Sequence, residues 1–134
     1  MREILFFFFL LVGCPNLPAQ CDKINFTDTS MPYAYTKAKK EKKEIFLFIY
    51  ELGEKKAGFF QSGIFYKKEI CSLFNAKFVN IKAKKNSKLG QEMIRKYQIT
   101  SFPCFLILTA QGKLKAQTNA INGTKDLKAF GLKN

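Results

Sequence analysis

The 134-residue chain has no histidine, no tryptophan, only two arginines, and no cysteine pair at C-x-x-C spacing. Each shortage closes off chemistry. Without imidazole there is no His-based acid/base catalysis, no His metal site, and no Ser-His or Cys-His nucleophile pair. Thiolate is the metal donor that remains. The four cysteines, however, stand singly at Cys14, Cys21, Cys71 and Cys104, a spacing that does not read as a zinc site. No metal and no cofactor is expected. The basic residues are Arg2, Arg95 and 21 lysines. Base-reading proteins lean instead on the bidentate guanidinium of Arg. The net charge of +13 therefore reads as Lys-rich composition with solvated faces, and no nucleic-acid partner is expected.

A membrane-spanning run is also missing. Residues 4–12 are unbroken apolar, Ile-Leu-Phe-Phe-Phe-Phe-Leu-Leu-Val. Nine residues of helix span about 14 Å, against a bilayer core of about 30 Å. Preceded by Met1-Arg2-Glu3, the run fits the apolar region of an export signal. Two processing sites compete. Leu11-Val12-Gly13-Cys14 resembles the bacterial lipobox, which implies a signal over residues 1–13 and lipid on Cys14. Leu17-Pro18-Ala19 offers ordinary cleavage after residue 19, although Leu17 is large for that position. The lipobox is favoured. It predicts an envelope protein on the periplasmic side, lipid-anchored to the membrane, with a soluble periplasmic or secreted form as the alternative. Either route leaves Cys21, Cys71 and Cys104 in an oxidising compartment. Three is odd, so at least one stays free, modified or paired with another molecule. Cys21, in a linker over residues 14–23, is the best candidate for an intermolecular bond. Cys71 is expected in the core, and a Cys71–Cys104 bridge is not expected.

What remains is one domain over residues 24–134, with 47% apolar and 15% aromatic residues in the chain to build a core. Residues 24–26 suggest a short strand. Thr29-Ser30 before Pro32 opens a Lys-rich helix over 33–43. Residues 45–50, Ile-Phe-Leu-Phe-Ile-Tyr, read as a central strand buried on both faces. Helices are predicted over 55–61 and 65–75, broken near Gly63, then a strand over 77–82. Asn86-Ser87 caps a helix to Tyr97. Residues 104–109 are a second buried strand, a turn at 110–113 returns the strand 114–118, and Gly123-Thr124 begins a last helix. No repeat and no second domain is visible. Asn25-Phe26-Thr27 and Asn122-Gly123-Thr124 match the glycosylation pattern, most simply by chance. The lysines of 37–43 read as a solvated helix face, able to add attraction to anionic headgroups.

This order of elements resembles the thioredoxin fold, an α/β architecture with a central mixed sheet flanked by helices. Residues 38–47 are similar to the segment entering the central strand of exported thioredoxin-like proteins, and residues 74–82 to their next strand. Tyr97-Gln98-Ile99-Thr100-Ser101-Phe102-Pro103-Cys104-Phe105 is similar to the family's Tyr-x-Val-x-x-(apolar)-Pro-Thr segment. The resemblance implies that Pro103 is the family's cis-proline. It also implies that the backbone of Phe102 is free to pair with an extended partner.

The family's Cys-x-x-Cys is absent. At its place stand Leu52-Gly53-Glu54-Lys55. One thiolate must attack a disulfide and a second must resolve the mixed disulfide; Leu52 and Lys55 do neither. The buried acid that many family members carry on the central strand corresponds to about Phe48. Dithiol chemistry is therefore read as lost. Cys104, following Pro103, is the candidate thiol for a monothiol alternative, with Lys55, Lys56 and a helix N-terminus expected to face it; a small buried core residue is the plainer reading. The expected role is a non-catalytic domain binding a protein or peptide partner through Phe102, Pro103, Cys104, Leu52, Gly53 and Lys55, with Tyr50, Phe59 and Phe60 lining the groove. A basic module held by charge at anionic surfaces is the third reading.

Overall fold

Alternation along the strands decides which side chains share a face. The computed structural model describes residues 21–27 and 30–134. The signal segment, both processing sites and Cys14 lie outside them. Strands β1 (Phe26–Thr27), β2 (Glu44–Tyr50), β3 (Phe78–Lys84), β4 (Cys104–Leu108) and β5 (Leu114–Thr118) form one sheet in the order β1-β3-β2-β4-β5. β1 and β2 run parallel to β3; β4 is antiparallel to β2 and to β5. The sheet is mixed and covered on both faces, as the sequence predicts.

Successive strand residues point to opposite faces. Phe46, Phe48, Tyr50, Phe105 and Ile107 meet α2 (Lys55–Ser62), α3 (Lys68–Lys77) and α5 (Thr124–Lys133) through Phe60, Phe74 and Leu127. Ile45, Leu47, Ile49, Cys104, Leu106 and Leu108 meet α1 (Met31–Glu41) and α4 (Lys88–Tyr97) through Ala34, Ala38 and Met93. The first layer is aromatic. Phe48 lies 5.0 Å from Phe65 and 5.3 Å from Phe105, and Phe60 lies 4.9 Å from Phe105, between ring centroids. Such tilted and edge-on pairs add about 0.5–1.5 kcal/mol each beyond burial.

Local chemistry sets the helix ends. Ser87 Oγ accepts the Gly90 N–H at 2.9 Å, and basic Arg95 and Lys96 complement the other end of α4. Gly90 sits against β3 so closely that a Cβ there would stand 1.9 Å from the Lys84 carbonyl oxygen.

Three expectations change. The predicted helix over 65–75 divides into a 3₁₀ turn, Ile64–Tyr66, and α3, because Phe65 turns inward to Phe48 and Phe26 while Lys67 is extended. The first strand is Phe26–Thr27 rather than 24–26. Finally, Cys21 does not await another molecule: it is disulfide-bonded to Cys71, 50 positions on. Residues 21–23, read as the end of a linker, are docked. Ile24 N–H donates to Phe65 O at 2.9 Å, and the Asn75 side chain accepts from Asn25 N–H and donates to Lys23 O. Cys71 is buried, as expected, but as half of a bridge. Cys104 is the free cysteine of the described residues.

Candidate functional site

The carboxyl end of β2 and the start of β4 place the predicted residues together. Ile49 stands opposite Cys104 in the antiparallel pair. The chain leaving β2 through Tyr50 and Glu51 therefore passes Pro103 and Phe102. A turn follows, closed by Glu54 N–H donating to Glu51 O at 3.3 Å, with Gly53 at φ +86°. That left-handed conformation favours glycine. Leu52 occupies the tip, 74% exposed. Glu54 is the N-terminal cap residue of α2, and Lys55 its first residue. Lys56 Nζ ties this turn to the loop before α5 through Asn119 O and Asn122 Oδ1, each at 3.3 Å.

On the β4 side, the Phe102–Pro103 peptide is cis. Pro103 is buried and Phe102 half-buried. Neither the N–H nor the C=O of Phe102 has a hydrogen-bond partner among the described residues. An open amide pair at a sheet terminus is what an added extended chain requires. Leu52, Gly53, Lys55, Phe102 and Pro103 thus lie at one end of the sheet.

Cys104 separates from them. Its side chain belongs to the layer under α1 and α4, with Ile49, Leu106 and Met93, on the face of the sheet opposite α2. It does not face Lys55, Lys56 or the α2 N-terminus, which corrects the expected activation. Strand alternation is the cause: Phe105 takes the α2 side, so its neighbour Cys104 takes the other. Cys104 is 2% exposed. Burial pushes its thiol up to about 11, only partly offset by the hydrogen bond from the Phe105 backbone.

The aromatic lining also differs. Phe60 is fully buried, and Tyr50 is 6% exposed, its ring stacked 5.4 Å from Phe48. Phe60 builds the core instead of a groove, whereas Tyr50 belongs to the core and also lines a cavity beside Met31 and Leu89. Phe59 alone of the three is exposed. Phe48, expected from the resemblance at about the place of the family's buried acid, lies in the aromatic layer.

Two residues of this end were not singled out from the sequence. Lys85, just past β3, is anchored by its N–H to Tyr50 O at 2.7 Å. Its ammonium lies 4.9 Å from the Phe102 ring centroid and 3.9 Å from Glu51 Oε1. Glu54 keeps one carboxylate oxygen, Oε2, shielded from solvent without a hydrogen-bond partner. The signal for Lys85 was its position after a parallel strand, where ligands of α/β sheets gather; that needs the pairing to be known.

No family model and no curated protein sequence matches the chain. Solved structures do. A candidate disulphide isomerase from Bacteroides thetaiotaomicron is 26% identical, covering 85% of this chain and 95% of its own, with a TM-score of 0.73. The DsbH oxidoreductase is 20% identical over 89% of this chain and 91% of its own, at 0.69. A thioredoxin from Thermus thermophilus is 13% identical over 84% and 87%, also at 0.69. The chain has the thioredoxin-like fold and belongs to the thioredoxin-like superfamily.

Proposed function

We propose that this protein is a non-catalytic thioredoxin-like domain, exported to the cell envelope, that binds a protein or peptide segment beside Phe102 and Pro103. The observation that carries the reading is the thiol placement. Leu52 and Lys55 fill the start of α2, while the described free thiol, Cys104, is buried on the other face with its pKa raised to about 11. Among the described residues, neither attack on a disulfide nor resolution of a mixed disulfide has a thiolate at this end of the sheet. Binding needs none: the open amide of Phe102, exposed Leu52 and the lysine-bearing rim remain. The monothiol alternative through Cys104 loses the cationic surroundings it required.

Export and lipidation rest on residues 1–14 and are part of the same proposal. Among the described residues, no helix is long and apolar enough to cross a membrane. Membrane attachment is assigned to lipid on Cys14 from the lipobox resemblance of Leu11-Val12-Gly13-Cys14.

A turnover assay tests the central reading. The purified protein, given dithiothreitol and insulin or a mixed-disulfide substrate, is expected to add nothing to the uncatalysed rate. Measurable turnover lost in Cys104→Ser would replace the binding reading with the monothiol one. Intact mass of the protein from its native envelope tests the anchor: a diacyl or triacyl adduct on Cys14 is expected, and a mass beginning at Gln20 would overturn it.

A further inference from the structure

We propose that the segment bound beside Phe102 is an extended stretch of a partner protein that alternates carboxylates with apolar side chains. The inference rests on the binding reading above and assigns the chemistry of the partner.

The geometry starts at Phe102. An extended chain that pairs with its amide presents side chains with period two. On one side such a chain meets Lys85, whose ammonium already sits 4.9 Å over the Phe102 ring. The same end carries Lys84 and Lys55, both exposed. Glu51 pairs with Lys85, and Glu54 turns Oε2 inward, which leaves Lys84 and Lys55 as cations without an acidic partner among the described residues. The apolar element is also present. Leu52 projects from the α2 turn, and a cavity of about 860 Å³ combines apolar Met31, Pro32 and Leu89 with three lysines, Lys82, Lys84 and Lys88, against one acid, Glu92. The cavity adjoins this end of the sheet through Tyr50, which lines it, pairs in register with Lys84 and accepts the Lys85 N–H at 2.7 Å. A basic partner segment would be repelled here, and a purely apolar one would leave Lys84 and Lys55 unpaired.

Overall charge is a competing cause of acidic-peptide binding, and distance separates the two. Charges beyond about 8 Å are largely screened at 0.15 M salt. The β4–β5 turn lies five strand residues from Cys104, about 17 Å away. Lysines there do not act locally on a chain at Phe102.

The test uses three fluorescein-labelled decapeptides and the purified protein at 0.15 M salt, read by anisotropy. They are alternating Glu and Val, alternating Gln and Val, and the Glu/Val peptide with alternate amides N-methylated. The Glu/Val peptide is expected to bind about tenfold more tightly than the Gln/Val isostere, the sum of two or three partly exposed charge contacts. Lys84→Glu/Lys85→Glu should abolish that preference, while Lys40→Glu/Lys113→Glu, far from Phe102, should change it less than about twofold. Thermal melts confirm that both variants fold; if the site pair does not, Lys85→Gln alone should cut the preference about threefold. Equal binding of the Glu and Gln peptides, or equal loss in both charge-reversed variants, overturns the inference and leaves the binding reading standing. Undiminished binding of the N-methylated peptide overturns backbone pairing at Phe102 instead. Failure of all three peptides to bind overturns both.

Discussion

Replacing Cys21 by Ala removes the Cys21–Cys71 bond at its partly exposed end and leaves the buried Cys71 in place. The effect follows from the 50-residue separation. A cross-link acts mainly on the unfolded chain, and closing a loop of that size is worth about 4 kcal/mol in the chain-entropy account. The native contacts of the segment remain, because Ile24 still donates to Phe65 and Asn75 still holds Lys23 and Asn25. The expected loss is therefore about 2–4 kcal/mol, or roughly 10–15 °C in Tm for a domain of this size. Urea unfolding followed by far-UV circular dichroism reads it. The m-value should rise in the variant, since an uncrosslinked denatured chain exposes more surface. Adding a reductant to the unmutated protein should move its curve onto that of the variant. A shift below about 0.5 kcal/mol with unchanged m would refute the reasoning. So would peptide mapping that finds Cys21 and Cys71 unlinked in protein isolated without reductant.

Three further outcomes follow from the same geometry. With a pKa near 11 in place of 9, Cys104 of the folded protein holds about a hundredfold less thiolate at pH 8. Iodoacetamide labelling, followed by mass, should stay slow through pH 9 and accelerate only as pH approaches 11; rapid labelling at pH 8 would contradict the burial. Leu52→Cys/Lys55→Cys places two thiols at the start of α2, where a helix N-terminus favours thiolate. The variant should gain insulin reduction with dithiothreitol, and a stable pair of thiols that neither oxidises nor turns over would show that this turn is not equivalent to the family's active-site turn. Gly90→Ala drives a Cβ to 1.9 Å from Lys84 O, so α4 must shift from β3. Chemical denaturation should show a loss of about 1–3 kcal/mol, and a neutral result would contradict the close approach.

Much of the architecture was legible because its signals are local. The apolar run at 45–50 reads as a strand buried on both faces, and β2 is buried from Ile45 to Tyr50. Ser87 caps the helix it was expected to cap. The break near Gly63 was visible, but its consequence was not. That Phe65 leaves the helix for a 3₁₀ turn depends on rings from β1 and β2 that lie far away in sequence. The groove aromatics were misassigned for a similar reason. Phe59 and Phe60 are neighbours, yet one is exposed and the other is fully buried, and only the position of α2 over Phe105 distinguishes them.

By itself, the sequence determined the class of fold, the absence of imidazole chemistry, and the absence of any cysteine pair at C-x-x-C spacing. Composition and short-range periodicity carry those properties, and they do not depend on how elements meet. Tertiary structure alone decided how the three described cysteines are used. Cys21 and Cys71 come together because the residues before β1 dock against α3, a contact between positions 50 apart. Cys104 turns away from α2 because strand alternation, set by the pairing of β4 with β2, gives that face to Phe105. Lys85 reaches Phe102 through the sheet order β3-β2-β4. Such contacts depend on register and sheet face, which no spacing along the chain encodes.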